Sequence, residues 1–412
     1  MASDRKRPAL AVVICLGCAQ LVGGRSPQPQ AVAMVFQHVN VIDGLSDSPS
    51  LDTTVVVADG RITRVDKNPG ALAGTLATFD MQGKWLMPGY VDAHVHFADI
   101  ERARTALRLG ATTVRTMHCE HFLDVRIRDA HRQGGEDLPD VVAAGYQIRP
   151  DMAPAFFEDF PDLADLKTRV SGTENVRRVV RAVVSRGVDH IKFLATERSG
   201  TPETDPRKRT FVDEEIEALV DEARKAGLRV AAHAHGDEGA LAAVKAGVHS
   251  IEHGTFISDQ TLASMKQRRT YYVPTFAVAR QAPPRPEDRD NPILAERTRE
   301  SGPLKNRLTA LAEKLGIPLA AGTDLRYATA ELSMADEALY LQKAGLSSVR
   351  VLQIMTSGSA TLLGIQKRTG AIRVGLEADF VILGANPLTG LDALKDIRMI
   401  VNDGEVAFRK PD

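Results

Sequence analysis

Between residues 89 and 369 this chain alternates between short apolar runs and stretches with helical spacing. The runs lie at 89–94, 112–117, 141–145, 188–194, 228–233, 248–253, 271–275 and 317–322. Apolar residues three and four apart follow near most of them, as over 214–225 and 331–343. Eight strand-then-helix units predict an α/β fold in which parallel strands close into a (β/α)8 barrel, the TIM barrel. An open doubly wound sheet is the alternative. It accounts less well for polar residues recurring at the C-terminal ends of many strands, which suits the rim of a closed barrel.

Those polar residues are of metal-ligand type. Pro88-Gly89-Tyr90-Val91-Asp92-Ala93-His94-Val95-His96 ends an apolar run in His-x-His. On a strand, residues i and i+2 share a face, so the two imidazoles point together. Arg229-Val230-Ala231-Ala232-His233-Ala234-His235-Gly236 repeats the spacing, and Ser250-Ile251-Glu252-His253-Gly254-Thr255 ends a further run in histidine. Lys192 stands inside the apolar Ile191-Lys192-Phe193, and Gly322-Thr323-Asp324 ends the last run in a carboxylate. Each has a plainer reading. Lys192 could snorkel to the surface, His233 or His235 could be core histidines, and Asp324 could cap a helix. Together they converge on one end of a barrel, and imidazole suits zinc and similar ions.

The chain of 412 residues has room for this barrel and a small second domain. The expected division is a leader at 1–33, a barrel over 88–369, and a small β-sandwich made by both ends, 34–87 and 370–412. The β-rich Thr54-Val55-Val56-Val57 and Ala378-Asp379-Phe380-Val381-Ile382-Leu383 suggest that pairing. Arg5-Lys6-Arg7 before an apolar stretch over 9–22 has the form of a secretory signal, with Ala31-Val32-Ala33 as the cleavage site. Leu16-Gly17-Cys18 also resembles a lipoprotein box, although Cys15 stands where such boxes carry leucine. The expectation is export, to the periplasm or medium. The stretch is too short for a confident span, so none is expected once the leader is removed. Cys119 would then be the one remaining cysteine, a small buried filler with no disulfide partner. A net charge of −1 without a basic stripe argues against a nucleic-acid partner. The Pro- and charge-rich stretch 282–292 reads as a loop insertion near the barrel mouth.

The whole pattern resembles the amidohydrolase superfamily, within it the imidazolonepropionase-like and prolidase-like branch. The segments carrying the likeness are 88–96, Gly110-Ala111-Thr112-Thr113-Val114-Arg115, 230–236, 250–255, Gly322-Thr323-Asp324 and Gly375-Leu376-Glu377-Ala378-Asp379-Phe380. The resemblance implies two divalent ions, zinc first among candidates. His94 and His96 would bind one and His233 and His253 the other. Lys192, carboxylated by carbon dioxide, would bridge them. An ammonium has no acceptor atom, whereas a carbamate offers two oxygens and a negative charge. Asp324 would bind metal and shuttle the proton of the attacking hydroxide, which metal binding makes available near neutral pH. His235 would sit beside the ions and contact substrate or pack. The deaminase glutamate is missing after this strand, which favours amide hydrolysis over deamination.

Prolidase-like relatives imply dipeptides or N-acyl amino acids with a free carboxylate, and a homo-oligomer. Arg149, Arg198 and Arg326 are candidates to grip that carboxylate, since the guanidinium fork matches it. Tyr146 could donate to a developing oxyanion, and His118 and Glu197 depart from the usual loop wording and could reshape the pocket. The loop wording also resembles enzymes that hydrolyse aryl amides of amino acids, ochratoxin A among them, with Ala153-Pro154-Ala155-Phe156-Phe157 as an aromatic wall. Two alternatives stay open: a cyclic amide or lactone hydrolase, and a catalytically silent metal-binding scaffold.

Overall fold

The computed structural model describes residues 33–67, 76–135, 137–281, 288 and 290–411. The basic and apolar leader, with Cys15 and Cys18, and most of the 282–292 loop lie outside the described residues. Among the described residues no helix is long and apolar enough to cross a membrane.

Seven barrel strands run at Tyr90–Val95, Ala111–Thr116, Asp140–Val142, His190–Leu194, Arg229–Gly236, Ser250–Phe256 and Tyr271–Val273. Parallel ladders join the first three and, separately, the next four. Backbone hydrogen bonds join these two groups into a closed ring. On one side the Ile148 N–H donates to Lys192 O at 2.8 Å and the Leu194 N–H to Ile148 O at 3.0 Å. On the other, the eighth run of the sequence fills the gap. Tyr272 N–H donates to Pro318 O at 2.9 Å, Ala93 N–H to Ala321 O at 2.9 Å and Asp324 N–H to His94 O at 2.7 Å.

That eighth element forms no regular ladder. Pro318 has no N–H to give, and Asp324 takes a left-handed φ of 57° that turns the chain off the strand path. Gly322 explains why the run can approach strand one so closely. A Cβ there would lie 2.7 Å from His94 Cβ and 2.8 Å from Val273 Cγ1. A side chain at 322 would therefore displace His94.

Helices cover the outside. In Thr173–Val184 the residues Val176, Val179, Val180 and Val183 fall on one face and are fully buried. Each such burial contributes roughly 1.5–3 kcal/mol. The last long helix begins at Met334 rather than near 331, because Ser333 and Asp336 form a capping box there. Cys119 is buried, with its thiol 3.0 Å from Phe97 O.

Both ends of the chain build one mixed eight-stranded sheet. The N-terminal side supplies Ala33–Val41, Ser50–Ala58, Arg61–Asp66, Leu76–Asp80 and Trp85–Pro88; the C-terminal side supplies Phe380–Leu383, Ile397–Asn402 and Glu405–Arg409. The sheet has its own apolar core, which includes Phe36, Val55, Val57, Ile62, Leu86, Phe380 and Ile382. Phe36 meets the Phe380 ring edge-on at 5.1 Å. The two chain ends meet where Phe380–Leu383 pairs antiparallel with Trp85–Pro88. Only Gly89 separates that pairing from barrel strand one, so the sheet anchors the strand that carries His94.

Candidate metal centre

Closure of the ring brings the ligand-type residues to one end. His94 lies on strand one and His96 just beyond it, Lys192 on strand four, His233 and His235 on strand five, His253 on strand six and Asp324 on the turn after the eighth run. They form two sets, His94–His96–Asp324 and His233–His235–His253, each with ligand atoms within 4.8 Å of one another. Asp324 Oδ1 is 3.0 Å from His96 Nε2 and 3.4 Å from His94 Nε2, while Asp324 Oδ2 is 3.8 Å from His253 Nδ1. The His94 and His253 rings are 5.0 Å apart and those of His233 and His253 4.5 Å, so the sets adjoin. His235 belongs with the second set. Its ring stacks on His253 at 4.7 Å, and its Nδ1 pairs with Thr255 Oγ1 at 2.8 Å.

Partners behind the histidines orient them, as is general for imidazoles that bind metal. His94 Nδ1 faces Glu252 Oε2 at 2.8 Å. Glu252 is fully buried and takes further hydrogen bonds from Arg115 Nη2 at 2.9 Å and the Ser250 hydroxyl at 2.5 Å. The carboxylate can only accept, so His94 donates from Nδ1 and turns the Nε2 lone pair toward Asp324. Asp92 organises the Asp324 turn. It accepts from the Thr323 hydroxyl at 2.6 Å, the Thr323 N–H at 2.9 Å and the Tyr327 hydroxyl at 2.7 Å.

Burial sets the charge states of these groups. Burial holds the imidazoles of His94, His233, His235 and His253 well below their usual range, so they are neutral and carry lone pairs. Burial would also raise the Asp324 carboxyl, but the field of His94, His96 and Lys192 outweighs it and holds that group well below the carboxylate range. The donor set, imidazole nitrogens with a carboxylate within 4.8 Å of one another, fits a zinc-type divalent ion. Loss of water lowers the Lys192 ammonium to about 8, so the neutral amine is easier to reach than in a solvated lysine. No hydrogen bond or ion pair to a described residue holds its amine.

The expected substrate contacts divide. His118 follows strand two, where its Nδ1 takes the Gln147 N–H at 3.4 Å; loss of water and the nearby Arg149 and Arg198 lower it to about 3. Arg149 and Arg198 are neighbours. Among the described residues the Arg149 side chain pairs with Asp151, at 3.8 Å, and Arg198 is exposed. Arg326 lies near Asp324, its N–H bonded to Gln281 Oε1 at 2.9 Å. Tyr146 does not serve as an oxyanion donor here. Its hydroxyl gives its one proton to Asp159 Oδ2 at 2.7 Å and accepts the His121 N–H at 2.9 Å. Phe156 and Phe157 form no wall of the site either, because both are buried in an aromatic cluster with Tyr146 and Phe160. Glu197 staples its own loop through Lys208 and the Asp205 N–H, each at 2.9 Å, and its carbonyl faces His233 Nε2 at 3.3 Å. Sequence reasoning gave no roles to Asp92, Arg115 and Glu252. Their signal was a charged residue inside a short β-type run, as with Asp92 between Val91 and Ala93.

A closed parallel barrel, a sheet built from both chain ends, and histidines and a carboxylate at the strand C-termini define a class of barrel hydrolases. The chain belongs to the Amidohydrolase family, whose model matches residues 85–407, and it stands in the prolidase-like branch. It is an enzyme of amide-type bond hydrolysis. An uncharacterised protein of Mycobacterium tuberculosis is 27% identical over 402 residues, covering 92% of this chain and 96% of that one. Ochratoxinase of Aspergillus niger is 28% identical over 256 residues, covering 58% of this chain and 50% of the enzyme. A crystal structure of a Xaa-Pro dipeptidase with methionine bound in its active site superposes with a TM-score of 0.78 at 26% identity, covering 92% of this chain and all (100%) of that one.

Proposed function

We propose that this chain is a two-metal hydrolase of linear amides whose leaving group is an amino acid with a free carboxylate, that is, dipeptides or N-acyl amino acids. The observation that carries this reading is the pair of adjoining ligand sets with the buried Lys192 in electrostatic reach of both. His94, His96 and Asp324 would hold one divalent ion and His233 and His253 the other, zinc being the first candidate for both. Lys192, as its carbamate, would bridge them, the neutral amine adding carbon dioxide and releasing a proton. When bound, the ions supply Lewis acidity for the scissile carbonyl and lower the pKa of water from 15.7 toward about 7.

The chain's own groups do the rest. Asp324 is ionised, so it accepts the proton of the attacking water and passes it to the leaving amine. His235 faces the substrate beside His253. The barrel wall limits water to the mouth. Arg149 and Arg198 hold the substrate carboxylate. Ochratoxinase among the relatives supports including an aryl amide such as ochratoxin A, and the dipeptidase supports dipeptides.

Purified protein should contain divalent metal, lose activity on chelation and regain it with added zinc. The measurement is metal analysis beside a screen of dipeptides, N-acyl amino acids, ochratoxin A and cyclic amides. Protein without bound metal that gains nothing from zinc would sink the reading; ring substrates outrunning linear ones would redirect it. Within the same screen Arg198→Met should raise KM about tenfold or more, since a hydrogen bond to a charged group is worth about 1.5–3 kcal/mol. The rise should vanish for carboxyl-blocked substrates. Equal effects on blocked and free substrates would remove Arg198 from carboxylate binding.

A further inference from the structure

Barrel strand seven, Tyr271–Val273, brings no side chain into either ligand set. The turn behind it is nevertheless built with unusual groups. Thr275 is fully buried and takes a left-handed φ of 54°. That conformation is strained for a β-branched residue and persists only where its surroundings impose it. Its hydroxyl oxygen lies 2.7 Å from Pro274 O and 2.7 Å from His253 Nδ1. A hydroxyl has one proton, and a carbonyl only accepts. The proton therefore goes to Pro274 O, and the hydroxyl lone pair takes an N–H from His253 Nδ1. His253 is thereby left with its free lone pair on Nε2.

Two buried charged residues pin the same turn from outside. Lys305, on helix Pro292–Leu315, donates from Nζ to Thr275 O at 3.1 Å. Glu337, on helix Met334–Lys343, accepts the Ala277 N–H at 2.7 Å through Oε2. Burial pushes the Lys305 ammonium down and the Glu337 carboxyl up, and their mutual attraction opposes both shifts. Glu337 Oε1 has no hydrogen-bond partner among the described residues. A fold that needed only packing here would be served better by apolar side chains. Hydrogen bonds to both ends of a strained turn give these charges a purpose.

We propose that Thr275, held by Lys305 and Glu337, is a positioning residue that locks His253 as the Nδ1–H tautomer and presents Nε2 to a divalent ion. The inference rests on the two-ion reading for its consequence and on the turn alone for the tautomer. Two measurements separate them. In metal-free protein with 15N-labelled histidine, His253 should show a protonated Nδ1. Thr275→Val, nearly the same shape without the hydroxyl, should give a mixed tautomer, and Thr275→Ser should restore the wild-type signal. In chelator competition with zinc, Thr275→Val should bind one of the two ions about 10–100-fold more weakly, with Thr275→Ser again recovering it. Lys305→Met should weaken the same ion and Lys305→Arg should restore much of that loss. If Thr275→Val does not fold, the two Lys305 variants read the same quantities. A folded Thr275→Val with unchanged tautomer and unchanged zinc affinity overturns the proposal. A mixed tautomer in Thr275→Val, together with a wild-type protein that takes up no zinc, would instead keep the positioning role and discard the two-ion reading.

Discussion

Asp324→Asn should lower kcat by about a thousandfold or more while leaving a folded protein and a nearly unchanged KM, since a positioned acid–base group contributes roughly 10²–10⁴-fold. The fold should survive for a local reason. Asp324 sits at a φ of 57°, a region asparagine tolerates as well as aspartate does. Its N–H bond to His94 O, which helps close the barrel, belongs to the backbone and is kept. The amide also keeps an oxygen able to reach the ion. What it loses is basicity. An ionised carboxylate takes a proton from water, and a neutral amide does not. Steady-state kinetics together with metal content check the argument, since retained metal with a lost rate isolates the proton step. A rate within a fewfold of wild type would remove Asp324 from proton transfer.

Arg115→Met should destabilise the metal-free protein by about 3–5 kcal/mol, the usual loss when one partner of a buried ion pair is removed. Arg115 lies inside the barrel with its Nη2 2.9 Å from Glu252 Oε1, its Nη1 3.3 Å from Ser250 Oγ and its Nε 2.7 Å from Ala93 O. The variant strands a fully buried carboxylate and leaves Ala93 O without its side-chain donor. His94 takes its orientation from Glu252, so zinc affinity should fall as well. Urea unfolding of chelated protein gives the stability change. The double variant Arg115→Met with Glu252→Gln should recover part of it, because the uncompensated charge is then gone. A loss below about 0.5 kcal/mol would mean that the pair contributes little.

The site and its supports differ in how far the sequence reveals them. His94 and His96, or His233 and His235, are visible because two imidazoles two residues apart on a strand must share a face. Their partners are not visible in this way. Glu252 backs a histidine that lies 158 positions away in the chain, and Asp92 holds a turn 231 positions away. Such pairings exist only once the ring closes. Tyr146 shows the converse. Its phenol suited an oxyanion role until the fold set Asp159 and the His121 N–H against it. Phe156 and Phe157 likewise stood as pocket wall until the helix that carries them turned both into the core.

From the sequence alone came the strand-and-helix alternation, the meeting of the two chain ends, the residue types of a metal centre and the family likeness. These are local or compositional properties, set by side-chain period and by which residues interrupt an apolar run. The tertiary structure alone decided which nitrogen of each histidine faces the centre, where Asp324 points and which charges are buried behind them. Hydrogen-bond direction and burial depend on neighbours that are remote in the chain, and only barrel closure brings those neighbours within reach.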